Sequence, residues 1–289
     1  LRFGSCGRLL QEQRPFNSQG SIRAYAKELS NRLSQMAQRE TEQAYSVVLE
    51  STGSAAVEAA IKHAELEFQN KLNRVLDSLL DVQKQIRVAA RKGPIAVSDE
   101  VIDIFWKTLG ISEVLCAEDL IQASIDAITR IAKTSPVVLS LEGGFHGKST
   151  GALSLTANQE YRTPWKRLGF STTFVPKGDI RTLDTVIDEA RFGYVDLSIK
   201  GQTLSAKPAE LVAVIAAFAE PIQGEGGVLE VERKFLQVLR NRADQAEFPL
   251  VFDEIQSGMG RTGTFLAATP MGVVADYVLL SKALGGGLC

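Results

Sequence analysis

Two segments, PLVFDEI and DYVLLSK, each place a group able to do chemistry at the end of a strand-like run: Asp253 in the first, Lys282 in the second. Either has an ordinary explanation alone, a carboxylate capping a turn or a solvated lysine. Together they supply what a pyridoxal cofactor requires. The amine can form a Schiff base with the aldehyde, and the carboxylate keeps the ring nitrogen protonated so that the ring accepts electrons. Period two puts Val251, Asp253 and Ile255 on one strand face, so Ile255 can pack on a ring whose nitrogen Asp253 reaches. Phe145 follows another apolar run and suits the opposite ring face. Thr52, Gly53 and Ser54 precede the helical pattern AAVEAAIKHA, where free N–H groups and the helix dipole suit a phosphate. Core packing of Phe145 and a plain N-cap at the turn explain those features when each stands alone.

One tempting motif fails. GGFHGKS ends like a phosphate-cradling P-loop, but that motif needs glycine at position 142, and Glu142 stands there. Its carboxylate would repel a nucleotide triphosphate.

The elements that must hold these residues fall into three stretches, 1–64, 65–135 and 136–289. The first reads as a helix from Ser21, a strand over YSVVLE, a glycine turn and a second helix. The second holds only two glycines, Gly93 and Gly110, and one proline, Pro94, and reads as helical. Leu72, Val75, Leu76 and Leu79 share one helical face there, as do Ile121, Ile125 and Ile128. Ser98 with Asp99 and Glu100 makes a helix start. From Pro136 onward, VVLSLE, STTFVP, LVAVIAAFA, PLVFDEI and DYVLLS alternate with helical segments. That order predicts an α/β fold, a mainly parallel sheet with helices on both faces and ligands at the carboxyl ends of its strands. The glycine clusters GGFHG, QGEGG, SGMGRTG and GGG fall at those ends.

Composition narrows the function classes. At 289 residues and 45% apolar, the chain can bury a core without disulfides or metal. A net charge of −2 draws it to neither nucleic acid nor a membrane. Three scattered cysteines make no disulfide framework and no metal set, and suit a reducing, cytoplasmic compartment. No apolar run is long enough to span a bilayer, and LRFGSCGRLL lacks a signal-peptide core. The start at Leu1 and the finish at GGGLC give both ends a cut appearance.

The order STGSAAVEAAIKHA, EGGFHGKSTGALSLT, IAAFAEPIQGEGGV, LVFDEIQSGMGRTGTFLA, DYVLLSKALGGG resembles that of the class III aminotransferases. These are pyridoxal 5'-phosphate enzymes of fold type I that include acetylornithine, ornithine and 4-aminobutyrate transaminases. The likeness covers 21–63 and 136–288. It implies transfer of an amino group between an amine or amino acid and a keto acid or aldehyde, through a Schiff base on Lys282. It implies too that Lys282 moves the substrate proton and that Asp253 partners the ring nitrogen. Gln256 falls near the ring hydroxyl, Gly53 and Ser54 in the phosphate turn, and Phe145 and Ile255 on the two ring faces. His146 supports Phe145, Glu220 lies near the substrate, and Arg261 holds its loop. Ala55 and Val57 stand where the family has an acid and an asparagine, while Glu58 remains. The block 65–135 exceeds the family's connection and reads as a helical insertion. The resemblance further implies a homodimer and a small domain beyond the lysine strand, which would carry the arginine for a substrate carboxylate. An aminomutase, racemase or decarboxylase shares such a pocket, and a non-catalytic module of a larger protein fits the same residues.

Overall fold

A computed structural model of the chain describes residues 24–111, 116–165 and 169–285. They divide between Leu49 and Glu50 into two compact units. In the first, α1 (Ala24–Thr41) buries Leu33 and Ala37. The Ser34 hydroxyl donates to the Tyr45 carbonyl at 2.7 Å. The strand expected over YSVVLE does not form, and Val48 is left 74% exposed. A short apolar run becomes a strand only beside a neighbour that pairs its backbone groups.

The second unit is built on five parallel strands: β1 (Val137–Leu141), β2 (Thr172–Val175), β5 (Val214–Ala219), β8 (Leu250–Asp253) and β9 (Tyr277–Leu279). Their spatial order is β2-β1-β5-β8-β9. Alternation divides the central strands between two cores. Leu139, Leu141, Ala217, Ala219, Leu250 and Phe252 pack against α6 (Ile180–Glu189) and α7 (Arg233–Ala246) through Leu183, Ile187, Phe235, Leu236 and Leu239. Val138, Ala216, Phe218, Val251 and Leu279 turn the other way, onto Val57, Ala60 and Ala64 of α2 (Gly53–Ala90) and onto α5 (Thr150–Leu155). Near-continuous apolar strands are what a sheet covered on both faces requires, and the expected fold class is the one observed.

The helix α2 runs unbroken for 38 residues, about 57 Å at 1.5 Å per residue. Position 64/65, where composition changes, therefore lies inside a helix. Its first turns serve the sheet. Its later residues Phe68, Leu72, Leu79, Val82 and Ile86 enter a separate core with α3 (Asp99–Leu109) and α4 (Ala117–Lys133). That core is closed by an antiparallel hairpin, β3 (Arg191–Lys200) and β4 (Thr203–Val212), which contributes Val195, Leu197, Leu204 and Leu211. The hairpin was not expected, because LVAVIAAFA was read as one strand, whereas its first two residues close β4 and Val214–Ala219 form β5. Its signal is present nonetheless. VDLSIK and LSAKPAEL alternate in polarity around the turn Gly201-Gln202, where Gly201 has φ 63°. Between β5 and β8 lies one further short ladder, β6 (Ile222–Gln223) with β7 (Leu229–Glu230). Among the described residues no helix is long and apolar enough to cross a membrane.

Candidate active site

The carboxyl ends of β1, β5, β8 and β9 lie side by side, and each delivers between one and three of the expected residues. Phe145 and His146 follow β1, Glu220 follows β5, Asp253 ends β8 with Ile255 and Gln256 beyond it, and Lys282 lies three residues past β9. The lysine is thus not in the strand but in a 3₁₀ turn, at φ 41°. A left-handed backbone at a non-glycine residue is strained and persists only where its surroundings enforce it.

Contacts join these groups into one cluster. Lys282 Nζ donates to Gln256 Oε1 at 2.8 Å. Gly53, at the start of α2, is packed so closely that a Cβ there would meet Ile255 Cδ1 at 3.0 Å and Ser281 Cβ at 3.3 Å. Gly147, at φ 128°, leaves the space that Ser54 Oγ occupies. His146 Nδ1 donates to Asp253 Oδ2 at 2.8 Å, with both side chains buried. The other Asp253 oxygen accepts from the Ile255 N–H at 3.1 Å. His146 Nε2 is buried without a hydrogen-bond partner among the described residues, while the ring stands edge-on to Phe218 at 5.9 Å. Glu220 Oε2 accepts from the Phe145 N–H at 2.8 Å. All nine residues expected at the site therefore gather at one sheet edge.

At the opening of α2, Thr52 Oγ1 accepts from the Ala55 N–H at 3.1 Å and the Thr52 carbonyl from the Ala56 N–H at 3.0 Å. The N–H groups of Gly53 and Ser54 stand free of protein acceptors among the described residues. That leaves donors at the positive end of a long helix, as an anion requires. One turn on, Glu58 Oε1 accepts from Ser149 Oγ at 2.7 Å, Gly151 N at 2.7 Å and Ala152 N at 3.2 Å. Glu58 thus caps α5 from another helix, and its carboxylate lies favourably at the positive end of that helix's dipole. Replacing Glu58 by alanine should cost about 1–2 kcal/mol and lower the melting temperature by about 2–8 °C, read by calorimetry.

Glu220 has a strongly disturbed acidity. Burial raises its pKa from 4.5 to about 7, aided by the Asp253 charge and opposed by His146 and by the Phe145 and Gly224 N–H groups. The folded chain therefore holds this proton more tightly than the unfolded chain. The unfolded carboxyl ionises first, so stability falls as pH rises from about 4.5 to about 7. The loss is on the order of 3 kcal/mol at 1.4 kcal/mol per pH unit. Denaturant midpoints across that window should show the decline, and Glu220→Gln should flatten it.

Several supporting residues had no expected role. Thr156 Oγ1 accepts from the His146 N–H at 3.0 Å and donates to the Gly147 carbonyl at 3.1 Å, fixing the loop that carries Phe145 and His146. The buried Gln223 donates to the Glu142 carbonyl at 2.9 Å and accepts from Lys177 Nζ at 2.7 Å. Glu254 Oε1 accepts from the Ala268 N–H at 3.0 Å and so ties the following loop to the strand end. Each sits inside a quoted motif, but only long-range packing gives it a partner. Beside Phe145 opens a cleft of about 250 Å³, with Tyr161, Asn158 and Glu225 on its wall. Among the described residues no cluster of metal-ligating side chains occurs.

A two-sided parallel sheet with a lysine, an acid and a helix N-terminus at its carboxyl edge defines an α/β protein, and that edge is where ligands of such sheets bind. The family model for class-III aminotransferases matches residues 8–289, and the chain belongs to that family. It is 35% identical over 200 residues to the acetylornithine aminotransferase of Methanopyrus kandleri, an alignment spanning 69% of this chain and 43% of that protein. Of solved structures, the ornithine aminotransferase of Toxoplasma gondii superposes with a TM-score of 0.59 at 19% identity. It covers 98% of this chain and 47% of its own. An amine transaminase from an uncultivated Pseudomonas species gives 0.57 at 20% identity, over 94% of this chain and 48% of its own. These likenesses establish the fold. The chain spans less than half the length of these relatives.

Proposed function

We propose that this chain binds pyridoxal 5'-phosphate and moves an amino group between an amine or amino acid and a keto acid or aldehyde. The observation that carries this reading is the cluster at the sheet edge, where Lys282, Gln256, Asp253, His146, Ile255 and the first turn of α2 meet. The donor set fits the cofactor. There is an amine for its aldehyde, a buried carboxylate for its ring nitrogen, and free N–H groups of Gly53 and Ser54 for its phosphate.

When bound, pyridoxal phosphate supplies an electron sink for the pair left on the donor carbon as a proton departs. The rest is work for the chain's own residues. Lys282 Nζ, held at 2.8 Å by Gln256, takes that proton and returns it one position away. Asp253 keeps a proton on the ring nitrogen, and His146 holds the carboxylate in place by donating to Oδ2. Ile255 and Phe145 exclude water from the ring faces. Glu220 fixes the Phe145 backbone, and its carboxyl can take up or release a proton near neutrality.

The deciding experiment is chemical. Borohydride treatment of the chain mixed with pyridoxal phosphate, followed by peptide mapping, should place the pyridoxyl group on Lys282. A pyridoxyl group on another lysine instead of Lys282 defeats the proposal. We propose further that residues 65–135 are an addition to the sheet domain, a reading supported by their separate core with the β3–β4 hairpin. A homodimeric state and a cytoplasmic location are parts of the same proposal. Equilibrium sedimentation tests the first and fractionation of the source cells the second.

A further inference from the structure

We infer that Gly224 is a positioning residue for Lys282, acting through Gln256. A Cβ built on Gly224 would fall on Cδ, Oε1 and Nε2 of Gln256, all closer than van der Waals contact allows. The absence of a side chain at 224 is therefore what lets the carboxamide lie where its Oε1 accepts from Lys282 Nζ at 2.8 Å. Gly224 is held in place by its carbonyl, which accepts from the N–H groups of Gly227 and Val228, each at 3.1 Å. Its φ lies outside the left-handed region, so an alanine fits the backbone and only the carboxamide has to move. Gln256 is the hydrogen-bond partner of Lys282 Nζ, and among the described residues no carboxylate lies within ion-pair distance of that amine. Gly224, Gln256 and Lys282 come from three different strand ends, so one small residue sets the aim of an amine 58 positions further along the chain.

The inference rests on reading Lys282 as the cofactor lysine, and its test separates the two. In the chain without pyridoxal phosphate, acetylation by an N-hydroxysuccinimide ester is followed at Lys282 by mass spectrometry, with the exposed Lys200 as reference. An amine released from Gln256 no longer has to give up a hydrogen bond before it attacks the ester. Gly224→Ala is expected to speed acetylation of Lys282 roughly threefold, and Gln256→Ala to do the same. With pyridoxal phosphate present, both variants should attach it to Lys282 more slowly, because the amine is no longer aimed. A general loosening of the fold would not raise one rate and lower the other. In a Gln256→Ala background, Gly224→Ala should change neither rate further.

Unchanged rates in Gly224→Ala overturn the inference, as does an undiminished effect in the Gln256→Ala background. If Gly224→Ala alone fails to fold, the double variant must fold, since the obstructing carboxamide is gone. Failure of both likewise overturns it. Acetylation of Lys282 that responds as stated, in a chain whose pyridoxyl group maps elsewhere, would leave the geometry standing and remove only the cofactor reading.

Discussion

Lys282→Ala is expected to remove the pyridoxyl group that borohydride fixes to the chain, reducing the modified peptide from near-stoichiometric to background. Amino-group transfer should fall by about 10²–10⁴-fold, the contribution of a positioned general acid and base. Gln256 Oε1 then loses a donor at 2.8 Å but remains open to solvent, so the fold has little to lose. Release of strain at a residue with φ 41° works in the same direction only if the new residue leaves that conformation. The melting temperature should therefore stay within a few degrees while labelling disappears. Peptide mass spectrometry and calorimetry on one preparation read both. A Lys282→Ala chain that still carries the pyridoxyl group at full level would show that the amine belongs to another lysine.

Asp253→Asn should lower amino-group transfer by about 10²–10³-fold, equivalent to roughly 3–4 kcal/mol of barrier. The asparagine keeps the size of the side chain and removes its charge. If its oxygen continues to accept from the Ile255 N–H, its amide nitrogen faces His146 Nδ1, and two donors then meet. The imidazole must shift its proton to Nε2, which is buried without a described partner. An unsatisfied buried donor costs about 1–3 kcal/mol. Removal of a desolvated carboxylate offsets that cost, because a buried charge pair contributes little net stability. Turnover and thermal unfolding should consequently diverge, with a large kinetic loss beside a change in stability of about 1 kcal/mol or less. Equal losses in both would assign Asp253 to the fold rather than to the ring nitrogen.

The chain's own pattern reveals much of this arrangement. Alternation between apolar runs and helical segments implies parallel strands, and ligands of such sheets lie at the carboxyl ends. Asp253 stands at the last residue of β8 and Phe145 just past β1, so their positions along the sequence already put them on the same edge. Gly53 and Ser54 before a helical pattern likewise mark its N-terminus. Less legible were features whose cause lies in distant partners. YSVVLE has strand propensity but no ladder to join. Residues 191–212 have hairpin alternation, yet their strand character depends on the core supplied by α2, α3 and α4.

The amino-acid order by itself determined the types of reactive group, their places at strand ends and the sides of the sheet they face. Those follow from local periodicity and from the steric freedom of glycine. Only the tertiary structure decided which groups touch. His146 meets Asp253 across 107 positions, Phe145 meets Glu220 across 75, and Lys282 meets Gln256 across 26. It also carried α2 unbroken from the sheet into a second core. Such choices depend on packing between segments far apart in the chain, where a bond or a buried side chain outweighs local preference.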